Sequence, residues 1–134
     1  MTDYVGIIDH SEDAWGIRIP DLPGCYGAGD SAEAAIRDAA SAAREWIEHQ
    51  EGAGRARPRP REIGEILASG EIDVAAGEAA VLIGVWLDEG RTVRANVTFD
   101  AALLGAIDTA AKERGLTRSA FLASAAREKI DARR

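Results

Sequence analysis

The sequence predicts an α+β chain of two units, a β-β-β-α-β unit over residues 1–89 and a strand-helix-helix unit over residues 90–134. Three observations predict this. Before residue 90, short β-branched runs surround one long alanine-rich stretch with helical periodicity, the pattern of a sheet with a helix on one face. After residue 90, one strictly alternating run is followed by helical periodicity alone. The charge divides at the same place. Residues 1–90 hold 18 Asp/Glu and 7 Arg, a net of −11, whereas residues 91–134 hold 5 Asp/Glu and 9 Lys/Arg, a net of +4. Such asymmetry predicts different partners, a basic protein for the first half and nucleic acid for the second.

Residues 4–8 (YVGII) read as a first strand and residues 15–19 as a second, with Trp15, Ile17 and Ile19 on one face and a polar turn between. Residues 20–30 (PDLPGCYGAGD) form a stiff loop with room for a short third strand near residues 25–28. Asp30 and Glu33 have capping-box spacing and open the long helix, whose stripe is Ile36, Ala39, Ala40, Ala43 and Ile47, with Trp46 beside it. Glycines at 52 and 54 end it. The loop 52–61 carries Arg55, Arg57, Arg59 and Arg61 between prolines and reads as extended, either a solvated connector or a contact to a nucleic-acid backbone. Residues 62–69 suit a short helical turn, and residues 78–88 contain VLIGVWL, a buried strand by composition.

Residues 91–100 read RTVRANVTFD. Val93, Ala95, Val97 and Phe99 fall on one face of a strand; Arg94, Asn96 and Thr98 fall on the other. Arg, Asn and Thr side chains read base edges in the DNA major groove. The strand has no neighbour in its own unit, so a second copy, paired antiparallel across a two-fold axis, is the expected mate. Asp100 caps a helix carrying Leu103, Leu104, Ile107 and Ala110/Ala111, and Gly115 stops it. Thr117 caps the next, with Phe121, Leu122, Ala125, Ala126 and Ile130 as its stripe. About 44 residues lie near the lower limit for a unit folding alone, which again favours a dimer.

Residues 91–130 resemble the ribbon-helix-helix family of DNA-binding dimers. The resemblance implies Arg94, Asn96 and Thr98 as the groove-facing trio. It also implies Thr117, Arg118 and Ser119 at a helix start on DNA phosphates, where unbonded backbone N–H groups favour an anion. Residues 19–39, IPDLPGCYGAGDSAEAAIRDA, resemble the signature of HicB-like antitoxins, closely over residues 4 to 50, with residues 81–87 fitting the last strand. That resemblance implies a partial ribonuclease-H-like front domain that binds and blocks a small mRNA-cleaving toxin of the HicA type. It also implies a tail that binds the operator of the shared operon, as a homodimer, with neighbouring half-sites favouring a tetramer. It names no toxin-contacting residue.

The alternative is a stand-alone ribbon-helix-helix transcriptional regulator whose front unit senses a ligand or oligomerises. A third reading, metal-dependent hydrolysis, rests on Asp9 as its one tempting carboxylate; Asp21, Asp30 and Asp38 read as turn, cap and helix-surface residues. The single cysteine, Cys25, excludes an intramolecular disulfide and reads as a packed residue rather than a nucleophile partnered by His10 or His49. Trp15, Trp46 and Trp86 read as core. No cofactor, metal site or enzymatic activity is expected. The longest apolar run, residues 79–87, is too short for the roughly 20 residues of a membrane span, and no signal peptide is read, so a cytoplasmic location is expected.

Overall fold

A β-rich run that opens the chain becomes the centre of a sheet. The computed structural model describes residues 1–87 and 92–132. The chain divides into two compact units, Met1–Leu87 and Asp88–Arg133. In the first, β1 (Thr2–Ser11), β2 (Ala14–Arg18), β3 (Tyr26–Gly29) and β4 (Ala79–Val85) form an antiparallel sheet of order β3-β2-β1-β4. Central β1 registers Ile8 against Ile17 on β2 and Tyr4 against Ile83 on β4. Its residues from Tyr4 to Ile8 are buried on both faces, so they read as a continuous apolar run rather than an alternating one.

One face is closed by α1 (Ala32–Gly52), which buries Ala35, Ala39, Ala40, Ala43 and Ile47 against Tyr4, Ile8, Ile17, Ile19 and Ile83. The alanines let helix and sheet approach closely, and β3 answers with glycines. A Cβ on Gly27 would sit 2.5 Å from the Ala39 nitrogen, and one on Gly29 would sit 2.6 Å from the Ala35 nitrogen. The helix start differs from the expected one. Ser31, not Asp30, is the N-cap; its hydroxyl accepts the Ala34 N–H at 3.0 Å. Ser31 takes the extended conformation an N-cap needs, with φ −141° and ψ 161°, which leaves Asp30 one residue too early and Glu33 out of capping-box position.

The other face is closed in part by α2 (Ile63–Ser69), whose Ile66 is fully buried with Val5 and Ile7. Here a capping box does form, between Glu62 and Glu65. A single 3₁₀ turn (Val74–Ala76) leads into β4.

The second unit holds α3 (Ala101–Glu113) and α4 (Arg118–Asp131). The expected caps are present. Asp100 accepts the N–H groups of Ala102 and Leu103, and Thr117 accepts that of Ala120. Gly115, at φ +66°, turns the chain between the helices in a conformation that L-residues avoid. Residues 92–99 are not part of the four-stranded sheet and carry no strand pairing in the single chain.

Candidate functional site

In the second unit, Val93 is 74% exposed and Val97 67% exposed, although alternation assigns both to a buried face. Arg94, Asn96 and Thr98 are exposed as well. Among the described residues of this unit, Ile107 and Ala111 are the buried hydrophobics, and α4 buries none. Phe121 and Leu122 are half-buried, while Leu103, Leu116 and Ile130 are exposed. The apolar stripe of α4 is therefore left largely uncovered by its own chain, whereas that of α3 is covered except at Leu103.

The structure brings some of the expected DNA-contacting residues together. Arg94, Asn96 and Ser119 line one depression, and Asn96, Arg118 and Ser119 line an adjoining groove of about 310 Å³ walled by Val97, Phe99 and Leu122. Thr98 and Thr117 line neither. Thr117 instead spends its hydroxyl acceptor on the cap of α4. Arg118 is engaged too. Its Nε and Nη2 each donate to Asp108 on α3 at 2.8 Å. Those bonds hold the Asp108 carboxyl below the usual carboxylate range. No sequence pattern singles out Asp108; ten residues separate it from Arg118, and only the turn between the helices makes them neighbours.

The arginine loop of the first unit is not an open basic patch. Arg55 donates to Gln50, Arg57 to Glu51 and Arg59 to Glu65, at 2.8–3.2 Å. Arg61 bonds Asp21 at 2.6 Å and Glu71 at 2.9 Å, and the buried Tyr4 donates its hydroxyl to the Pro58 carbonyl at 2.7 Å. The loop is a strap clipped to its own unit. Asp21 thus pairs with Arg61 instead of merely shaping a turn. Asp38 also does more than sit on a helix surface, since it accepts the Ala28 N–H at 2.8 Å and ties the edge of β3 to α1. Across the sheet, Arg18 is held by Glu78 at 2.6 and 2.9 Å and by the Glu71 carbonyl at 3.0 Å. The hydrogen bond from Arg18, then that from the Asp73 N–H, holds Glu78 down to about 2.

Cys25 is buried in the core of the first unit, where burial pushes its thiol up to about 11. Trp15, Trp46 and Trp86 are half-buried and stand apart from one another's roles. Trp15 stacks on exposed His10 at 4.2 Å, Trp46 donates to the Pro23 carbonyl at 3.0 Å, and Arg44 lies 3.8 Å over Trp86. Asp9 is exposed on β1. Among the described residues, no three His, Cys, Asp or Glu side chains converge to hold a metal ion, and no helix is long and apolar enough to cross a membrane.

Fold and site together define a two-unit α+β protein whose notable features are surfaces, on an acidic sheet unit and on a small basic helical one. The chain belongs to a family described as "HicB_like antitoxin of bacterial toxin-antitoxin system", whose model matches residues 4–126. It is similar to the antitoxin HicB of Burkholderia pseudomallei, with 27% identity over 94% of this chain and 96% of that one, at a TM-score of 0.58. It is similar to antitoxin HicB3, with 29% identity over 96% of this chain and 98% of that one, at a TM-score of 0.55. A HicA3 and HicB3 toxin-antitoxin complex shares the fold over 65% of this chain and 99% of that one, at 20% identity and a TM-score of 0.53. No curated protein sequence matches significantly.

Proposed function

We propose that this chain neutralises a HicA-type toxin through its acidic first unit and represses its own operon through a dimeric, ribbon-helix-helix second unit. Inhibition of the toxin is by cover, without turnover: a protein that grips an RNA backbone presents positive charge, and an acidic partner competes for it. The observation that carries the reading is the exposed alternating segment at residues 92–99. Val93 and Val97 lie open to water with no strand beside them, and Arg94 and Asn96 alternate with them along the chain and are exposed too. A second copy laid antiparallel along that segment satisfies its backbone, covers its valines, Leu103 of α3 and the open stripe of α4, and turns two sets of Arg94, Asn96 and Thr98 outward as a basic ribbon. The partial ribonuclease-H-like description of the first unit belongs to the same reading, as a fold used for binding. The boundary between the two activities falls at residues 89–90.

The test separates the two units. Arg94→Ala is expected to lose about 10- to 100-fold of operator discrimination, the worth of a good base contact, while toxin neutralisation in co-expressing cells is unchanged. Equal loss of both activities, or neither, overturns the division of labour.

A further inference from the structure

The two faces of the front sheet are not covered alike. On one, α1 packs against residues of all four strands. On the other, α2 and the segment after it seal Val5, Ile7 and Ala80, on the β1–β4 side. Among the described residues, no helix packs over the β2–β3 side of that face. Gly16 registers with Ala28 there, and Arg18 with Tyr26. Tyr26 is 66% exposed, an aromatic ring presented to solvent on this half-face. Beside it lies a cleft of about 320 Å³ walled by Ile7, Pro20, Pro23 and Glu71.

We propose that this bare half-face is where the basic protein partner docks, with Tyr26 as its aromatic anchor and Asp9 as its flanking charge. The proposal rests on the toxin-binding reading of the first unit and says which part of that unit does the binding.

The charge of the patch selects the occupant. Asp9 lies on the same face as Ile7, opposite Gly16, and makes no ion pair among the described residues. Gly16 leaves it room, since a Cβ there would come within 3.0 Å of the Asp9 Oδ1. Arg18, the cation that the described residues place on the patch, already has both of its terminal nitrogens taken by Glu78 and the Glu71 carbonyl. An arriving protein therefore meets an aromatic face and a carboxylate, with the local positive charge neutralised. Arginine or lysine stacks on such a ring and pairs with such a carboxylate. A second copy of this unit, itself at net −11 over residues 1–90, brings the wrong charge.

The patch is also stiff. The loop before Tyr26 is closed by backbone bonds from Leu22 N–H to the Ile19 carbonyl at 3.0 Å and from Cys25 N–H to the Leu22 carbonyl at 2.9 Å. Ile19 N–H returns to the Cys25 carbonyl at 3.3 Å. Little ordering remains to be done on binding, which favours an anchor residue at this position.

The experiment uses the full-length chain and, as probe, the HicA-type toxin it is proposed to neutralise, in an inactivated form. Binding is measured by calorimetry at two salt concentrations. Tyr26→Ala is expected to weaken binding at least about 10-fold, as loss of an aromatic hot spot does. Asp9→Asn is expected to weaken binding more than twofold at the lower salt and to flatten its salt dependence. Leu67→Ala on α2 and Glu45→Gln on α1, both exposed positions, serve as controls and leave affinity unchanged, and melting temperature and operator binding are the same for all four. Tyr26→Ala and Asp9→Asn within twofold of the parent, or controls that weaken binding equally, overturn the surface while leaving the antitoxin reading intact. A Tyr26→Ala change in oligomeric state with unchanged partner affinity also overturns it, in favour of self-association. Failure of the parent chain to bind the probe at all removes the antitoxin reading, and this proposal with it.

Discussion

Asp108 and Arg118 join the two helices of the second unit through a pair of parallel hydrogen bonds, each 2.8 Å long. Arg118 is the first residue of α4, where a positive charge is poorly placed against the helix dipole, and the Asp108 carboxylate offsets it. The same carboxylate stands beside the helix start proposed to receive a DNA phosphate. Asp108→Asn is therefore expected to release Arg118 and remove a repulsion. DNA affinity should rise, and the slope of log affinity against log salt should steepen by up to about 0.9, one phosphate's worth. Fluorescence anisotropy across a salt series reads both. Weaker binding with an unchanged slope would mean that Asp108 instead holds Arg118 in its binding pose.

Val97 tests the dimer. It is 67% exposed in the single chain, and a mate strand would cover it twice, once from each copy. At about 1.5–3 kcal/mol per fully buried valine, Val97→Lys is expected to raise the dimer dissociation constant at least about 100-fold. Sedimentation equilibrium should then show monomer at micromolar concentration, with operator binding lost and partner binding by the first unit retained. A chain that is monomeric before the substitution, or dimeric after it, contradicts the proposed ribbon.

Two glycines in the first unit should respond with opposite signs. Gly27→Ala drives a methyl to within 2.5 Å of the Ala39 backbone nitrogen. Backbone cannot swing aside as a flexible side chain can, so α1 must shift, at about 1–3 kcal/mol. Gly64, on exposed α2, has nothing within 4 Å of its added carbon. Gly64→Ala should stabilise the unit by about 0.5–1 kcal/mol by lowering the backbone entropy lost on folding. Urea titration of the two variants checks the pair, and a destabilised Gly64→Ala would mean that α2 is covered in solution.

Acid should loosen the first unit through Glu78. Its carboxyl is held down to about 2 by Arg18, against an ordinary value of 4.5. Between those values the unfolded chain binds a proton that the folded chain refuses, so stability rises with pH there. The contribution is complete above about pH 4.5 and gone by about pH 2. Glu71, lowered by its bonds from Arg61 and Ser69, acts in the same direction. Glu78→Gln is expected to melt lower at neutral pH and to converge with the parent as pH falls to 2. Parallel melting curves across that range would contradict it.

Much of this was legible in the residues themselves. Apolar runs located β1, β2 and β4, because the side-chain composition of a strand is local to it; β3 was legible only as room for a short strand in a glycine-rich loop. The caps at Asp100 and Thr117 and the stop at Gly115 were legible for the same reason: each acts within four residues of its own position. The neighbouring cap was missed by one residue, since Asp30 and Ser31 both suit the role and backbone conformation decided between them.

What the sequence determined by itself was periodicity, capping, the opposed charge of the two halves and membership of a family. The fold of the chain back on itself decided which charges remain available. Arg55, Arg57, Arg59 and Arg61 read as an open basic loop, yet carboxylates and an amide up to 40 residues away engage every one. Arg118 reads as free for a phosphate, yet Asp108 holds it. Tyr26 reads as one more residue of a glycine-rich loop, yet it stands exposed on a half-covered sheet face. A backbone preference depends on near neighbours in the chain, whereas the surroundings of a charge or an aromatic ring depend on neighbours in space, and those exist only once the elements have packed.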